Sequence, residues 1–211
     1  MLLAPVAAGR STRGVVGRER RILNAMSQFS PRYGIALLIA LLCLACGSPP
    51  APVSAGPPAA PAIDVFFSPR GGATEAVVRE LGNAKQEILV QAYSFTSVQI
   101  AKALVDAHKR GVKVTVVLDR SQRGERYTSA TFVANAGIPT HIDAKHAIAH
   151  NKIMIVDGAT LITGSFNFTK AAEEKNAENL LVIKGDAELV KKYLANFEEH
   201  LGHSEKYEGR N

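Results

Sequence analysis

Asp157-Gly158 stands between two apolar runs, Lys152-Ile-Met-Ile-Val156 and Ala159-Thr-Leu-Ile-Thr163, and no other feature of the chain narrows its fold as much. Asp and Gly tolerate the left-handed backbone that a tight hairpin turn demands of both central residues, so the two runs are expected to be antiparallel neighbours. If these two residues form the whole loop, Val156 faces Ala159, Lys152 faces Thr163, and His150 faces Ser165. Side chains alternate across a strand. His150, Lys152, Thr163 and Ser165 then share one face, and Asn167 extends it by one step. Ile153, Ile155 and Ile162 fall on the opposite face and require a core.

The surrounding sequence supplies the rest of a domain. Ile63–Phe67, Glu87–Tyr93, Lys113–Asp119, Thr140–Ile142 and Glu178–Ile183 read as strands. Ala73–Ala84, Val98–Arg110, Tyr127–Ala136 and Ala187–Leu201 carry apolar residues at helical spacing, with Thr96 or Ser97 available as a cap for the second helix. Lys113–Asp119 is almost wholly apolar, as expected of a strand covered on both sides. The implied fold is α/β, a mixed β-sheet flanked by helices on both faces. Residues 63–211, 149 in all, suit one compact unit.

The N-terminal 62 residues read differently. Ile35–Cys46 is an apolar run of 12 residues, whereas a membrane-spanning helix needs about 20. With Arg32 before it and Gly47-Ser48 after it, the run fits the apolar region of an export signal, so residues 1–46 are assigned to export. Met26, just ahead of Ser27–Arg32, is the expected translation start. Leu44-Ala45-Cys46-Gly47 resembles a bacterial lipoprotein processing site. Three outcomes are open: lipidation of Cys46 and a membrane tether, cleavage and release into the periplasm or beyond, or an uncleaved buried helix. Residues 47–62 hold six of the ten prolines and no charge between Ser48 and Ala62, the composition of a semi-rigid linker. The net charge of +6 is also local: residues 1–45 carry +5 of it, leaving +1 elsewhere. A global basic field is therefore no argument for a nucleic-acid partner.

An imidazole, an ammonium, a hydroxyl and an amide on one face suit a phosphodiester. Lys152 supplies positive charge, Ser165 and Asn167 supply donors for phosphoryl oxygens, and His150 can attack phosphorus or move protons near neutral pH. His150-Asn-Lys152-Ile-Met-Ile-Val-Asp157, then six residues, then Gly164-Ser165-Phe166-Asn167, resembles the histidine–lysine–aspartate signature of the phospholipase D superfamily. Gln91–Thr96, His146–His150, Phe166–Thr169 and Asn176–Asn179 extend the resemblance to the small bacterial endonucleases of that superfamily, over roughly Ile63 to Leu201.

The resemblance implies a phospholipase D-like α/β sandwich and a phosphodiesterase that needs neither metal nor other cofactor. The family uses two signatures per active site and this chain has one, so a homodimer sharing one site is implied. One His150 would form a phosphohistidine while the other protonates the leaving oxygen. Lys152, Ser165 and Asn167 would hold the phosphate, and Glu178 would orient the imidazole. Asp157 and Gly158 are assigned to the turn, and Gly164 to the structure of the motif. Arg120 heads a basic loop, with Arg123 and Arg126, that suits a phosphate backbone. Tyr93 and Phe95 are expected in the core or the site wall. His141, His146 and His150 lack an acidic partner at ligand spacing, so no metal site is expected. The leading function is an exported nuclease acting on DNA or RNA. The alternatives are a phospholipase D hydrolysing phospholipid headgroups and a surface nucleic-acid-binding lipoprotein with little turnover.

Overall fold

The computed structural model describes residues 60–209. The export segment 1–46, with Met26 and Cys46, and most of the linker lie outside them. Along the chain run β1 (Ala62–Ser68), α1 (Ala73–Asn83), β2 (Glu87–Ala92), α2 (Val98–Lys109), β3 (Lys113–Asp119), a 3-10 turn (Arg120–Arg123), α3 (Ala130–Asn135), β4 (Thr140–Asp143), β5 (Lys152–Val156), β6 (Thr160–Gly164), α4 (Lys170–Glu174), β7 (Glu178–Lys184), α5 (Ala187–Gly202) and β8 (Glu205–Lys206). Ala62 already belongs to β1, so the strand begins one residue inside the expected linker.

The strands form one mixed sheet in the order β1-β7-β6-β5-β2-β3-β4-β8. β2, β3 and β4 run parallel and the other pairings are antiparallel. One face packs on α1, α2 and α3 through Val77, Leu81, Ile100, Leu104 and Val133, with Ile88, Val90, Val116, Met154 and Ile162 from the strands. The other face carries Leu89, Val117, Ile153, Ile155, Leu161 and Ile183 beneath Val190 and Phe197 of α5. β3 contributes to both cores, which explains its apolar sequence. Each fully buried Ile or Leu here contributes about 1.5–3 kcal/mol.

Local chemistry sets the element ends. The Ser97 hydroxyl accepts from Ile100 N at 3.4 Å and caps α2. α3 starts at Ala130 and not at Tyr127, because Thr128 Oγ1 accepts from Ala130 N while donating to Gln122 Oε1. α4, a helix the periodicity did not reveal, is capped by Thr169. Its Glu173 accepts from the N–H groups of Gly72 and Thr74, closing the start of α1.

The hairpin departs from the expected register. Asp157 (φ 53°) and Gly158 (φ 62°) do make the tight turn, closed by Ala159 N donating to Val156 O at 3.0 Å. The ladder, however, pairs Val156 with Thr160, Met154 with Ile162, and Ile153 with Thr163. Ala159 is an extra, bulged residue. A slip of one residue exchanges the faces of a strand. Thr163 therefore joins Ile153 on the α5 side, and Ile162 joins Met154 on the α1–α2 side. Lys152 lies at the level of Gly164, not opposite Thr163.

Candidate active site

Four strand ends meet along one edge of the sheet. β2 finishes at Ala92, opposite Lys152, where β5 begins. β6 finishes at Gly164, opposite Leu180, and β7 starts at Glu178. The edge lies beyond the carboxyl ends of the parallel strands, where α/β sheets characteristically hold their ligands.

Each candidate has a structural reason to be there. Asp119, buried at the end of β3, accepts from Ala149 N at 2.7 Å and fixes the peptide next to His150. His150 is exposed, its ring 4.5 Å from that of Tyr93. Lys152 is buried, yet its Nζ donates to His150 O at 2.8 Å and lies 5.1 Å from the Tyr93 ring centroid, within cation–π range. Burial holds the Lys152 ammonium below the ordinary lysine range, and the negative charge of Glu178 opposes that shift. Glu178 accepts from Asn176 Nδ2 at 3.2 Å.

The β6 exit is bent by shared hydrogen bonds. Ser165 N and Phe166 N both donate to Asn179 O, and Asn179 N donates to Ser165 Oγ at 3.0 Å. A Cβ on Gly164 would lie 2.2 Å from Asn179 O, and φ is 149°, so only glycine fits this approach. Buried Phe166 and Phe168 flank Asn167. Phe168 O accepts from Thr96 N and Ser97 N, so the exits of β6 and β2 run side by side. The Asn167 Oδ1 is buried without a hydrogen-bond partner among the described residues, polar capacity that this fold does not use.

The strand ends thus bring together His150, Lys152, Ser165, Asn167 and Glu178. The expected route, a shared hairpin face, is not the one taken. Asp157 lies at the far end of β5, five residues or roughly 17 Å away. Its carboxylate accepts from Lys85 N, Gln86 N and Glu87 N at 2.7–2.9 Å, so it ties the turn to the start of β2. Arg120 is exposed in the 3-10 turn and makes no hydrogen bond or ion pair to the other candidates among the described residues. Arg123 is engaged by Glu205 at 2.6 Å, which removes it from the free cations of that loop. Asp119 and Asn179 are contributors that received no role from the sequence, while Tyr93 stands in the wall of the site, one of the two places expected for it. Tyr93 and Asn179 sit in segments already conspicuous for their resemblance; Asp119 had no such signal. Phe95 is core, as expected.

An imidazole free to reach a ligand, a positive charge held beside it, and unspent hydrogen-bonding groups can bind and attack a phosphoryl centre. Comparison with known proteins agrees with that chemistry. Residues 77–201 match a family model described as cardiolipin synthase, PLD-like domain. A phospholipase D of Rickettsia conorii is 40% identical over 135 residues, covering 64% of this chain and 67% of that protein. The mouse mitochondrial cardiolipin hydrolase is 34% identical over 122 residues, covering 58% of this chain and 55% of that one. Among solved structures, Nuc of Salmonella typhimurium, a phospholipase D family member, superposes with a TM-score of 0.68 at 41% identity, covering 70% of this chain and 99% of that chain. NucT of Helicobacter pylori gives a TM-score of 0.65 at 22% identity, covering 70% and 100%, a likeness of fold.

Proposed function

Since the chain belongs to the phospholipase D superfamily and is a phosphodiesterase hydrolase, we propose that it is a nuclease that cleaves DNA or RNA through a phosphohistidine, in a site shared by two copies. The observation that carries this reading is the exposed His150 imidazole beside the Lys152 ammonium, with one signature per chain. A His150 nitrogen attacks phosphorus and the P–O bond to the leaving strand breaks. The second subunit's His150 gives that oxygen its proton. The same imidazole then takes a proton from water, whose oxygen displaces the histidine and restores it. Lys152, Ser165 and Asn167 of both copies hold the non-bridging oxygens, which gain charge in the transition state. Glu178 orients the imidazole.

The nuclease assignment is supported by the near-complete coverage of Nuc, a small chain with no added domain in the match. A second reading, hydrolysis of phospholipid headgroups, is favoured by the Rickettsia relatives that bear the name phospholipase D. A surface nucleic-acid-binding role with little turnover leaves the reactive groups without a purpose. Export through residues 35–46, with a tether at Cys46 or release after cleavage, belongs to the same proposal.

The test offers plasmid DNA, RNA and phosphatidylcholine vesicles to the purified full-length chain. EDTA is added at mixing, and thermal melting is followed in the same buffer to separate unfolding from lost catalysis. Nucleic-acid cleavage and a phosphorus-linked His150 adduct, trapped by an alkaline denaturing quench because the P–N bond is acid-labile, are expected. Headgroup release without nucleic-acid cleavage would transfer the assignment to the second reading. Full activity of a monomer would remove the shared site.

A further inference from the structure

A cluster of metal-ligating groups lies on the α5 side of the sheet, formed by Asp143, His146, His200 and His203, with one ligand atom from each within 4.8 Å of the others. Asp143 is the last residue of β4 and fully buried. Its Oδ1 accepts from Lys145 N at 3.0 Å, which leaves Oδ2 for the imidazoles. His200 Nδ1 lies 2.6 Å from Oδ2, and His203 Nε2 lies 3.2 Å from the same oxygen without hydrogen-bond geometry. The rings of His146, His200 and His203 are mutually 4.9–5.3 Å apart. The Nε2 atoms of His146 and His203 are both buried without a hydrogen-bond partner among the described residues.

Hydrogen bonding alone accounts poorly for this group. One carboxylate oxygen serves His200 well, but it leaves His146 Nε2 buried without a partner and His203 Nε2 with only a 3.2 Å approach to an oxygen already engaged by His200. A divalent cation removes that conflict, because neutral imidazole nitrogens and a carboxylate are its natural donors. The ligands come as two pairs with the same spacing, Asp143-x-x-His146 and His200-x-x-His203. The scaffold is firm on both sides: β8, directly after His203, pairs with β4 at His141 and Ile142. Sequence spacing brought only His141, His146 and His150 into consideration and led to no metal site, because His200 and His203 enter from the end of α5.

We propose that Asp143, His146, His200 and His203 bind one divalent transition-metal ion, with zinc the best match to three nitrogens and one oxygen. Bond lengths of about 2.0–2.2 Å put tetrahedral ligand atoms about 3.4 Å apart, so side-chain rotation that opens the 2.6 Å His200–Asp143 pair and draws in the widest pairs, now within 4.8 Å, completes the shell. Four protein ligands leave no open position, which makes the site structural. Its placement gives it a purpose. His146 lies on the loop that delivers Ala149 and His150, and the metal would fasten that loop to the end of α5.

The test uses the full-length chain, freed of metal by chelator and dialysis and titrated with Co²⁺ and then Zn²⁺. Intense visible absorption of four-coordinate cobalt, saturation at one ion per chain, displacement by Zn²⁺ and a raised melting temperature are expected. His146→Gln, in a half-buried loop position, and His203→Gln should each weaken binding by ~100-fold or more while far-UV circular dichroism is kept. These variants leave Cys43 and Cys46 untouched, so metal held by the thiolates is distinguished. The weak spectrum of octahedral cobalt, or affinity unchanged in both variants, would overturn the proposal.

Discussion

The ammonium of Lys152 hydrogen-bonds the backbone carbonyl of His150 at 2.8 Å, so the cation of the candidate site is held by the peptide that carries the proposed nucleophile. Tyr93 lies against both, its ring 4.5 Å from the imidazole and 5.1 Å from Nζ. This arrangement separates what each residue contributes to catalysis from what it contributes to folding.

His150→Ala should remove turnover and leave the fold intact. The side chain is exposed, so stability should change by less than about 0.5 kcal/mol. Activity should fall at least about 10⁴-fold, as for other covalent nucleophiles. Steady-state cleavage and thermal melting on the same preparation check both halves.

Lys152→Met keeps the buried stem and deletes the charge. Loss of the cation near the phosphoryl oxygens should lower kcat/KM by about 10²–10³-fold. Burial already disfavours the ammonium, so the variant should melt at or above the wild-type temperature. A clear drop in melting temperature would show that the bond to His150 O dominates over that penalty.

Glu178→Gln should move the alkaline limb of the pH–rate profile to lower pH. Lys152 must be protonated to hold phosphate, burial lowers its pKa, and Glu178 raises it. Removing Glu178 leaves burial unopposed, so Lys152 loses its proton sooner as pH rises. An unmoved alkaline limb in kcat/KM would dissociate Glu178 from Lys152.

Asp157→Ala should destabilise the domain by about 2 kcal/mol without a specific catalytic defect, because three backbone N–H groups lose their acceptor. Burial pushes the Asp157 carboxyl up, but the bonds from Glu87, Gln86 and Lys85 outweigh it and hold the pKa low. A folded-state pKa below the unfolded one contributes stability that is fully present above the ordinary carboxylate range. It is lost as pH falls below about 4 toward the folded value. Acid denaturation of wild type and variant should therefore converge at low pH.

Gly164→Ala should be among the most damaging small substitutions, since the new methyl meets Asn179 O at 2.2 Å. The β6 exit must shift, carrying Ser165 and Asn167 with it. Activity should fall at least tenfold with a lowered melting temperature, and a fully active variant would show that the β6 exit tolerates the movement.

Much of this domain could be read in the chain alone, because the physics involved is local. Turn chemistry at Asp157-Gly158, alternation in β5 and β6, helical spacing in α1, α2 and α5, and the fixed separations from His150 to Asn167 are all properties of neighbouring residues. They determined the α/β class and the order of the main elements, and they pointed to His150, Lys152, Ser165 and Asn167, though not to Asp119 or to the isolation of Arg120. Tertiary structure decided the rest. The bulge at Ala159 turned Thr163 away from Lys152, since strand register answers to packing on both sheet faces as well as to the turn. Asp119 holds Ala149, the neighbour of His150, from 30 residues upstream, and Asp143 meets His200 across 57. Such contacts depend on which strands become neighbours, and no local pattern of hydrophobicity or charge records that.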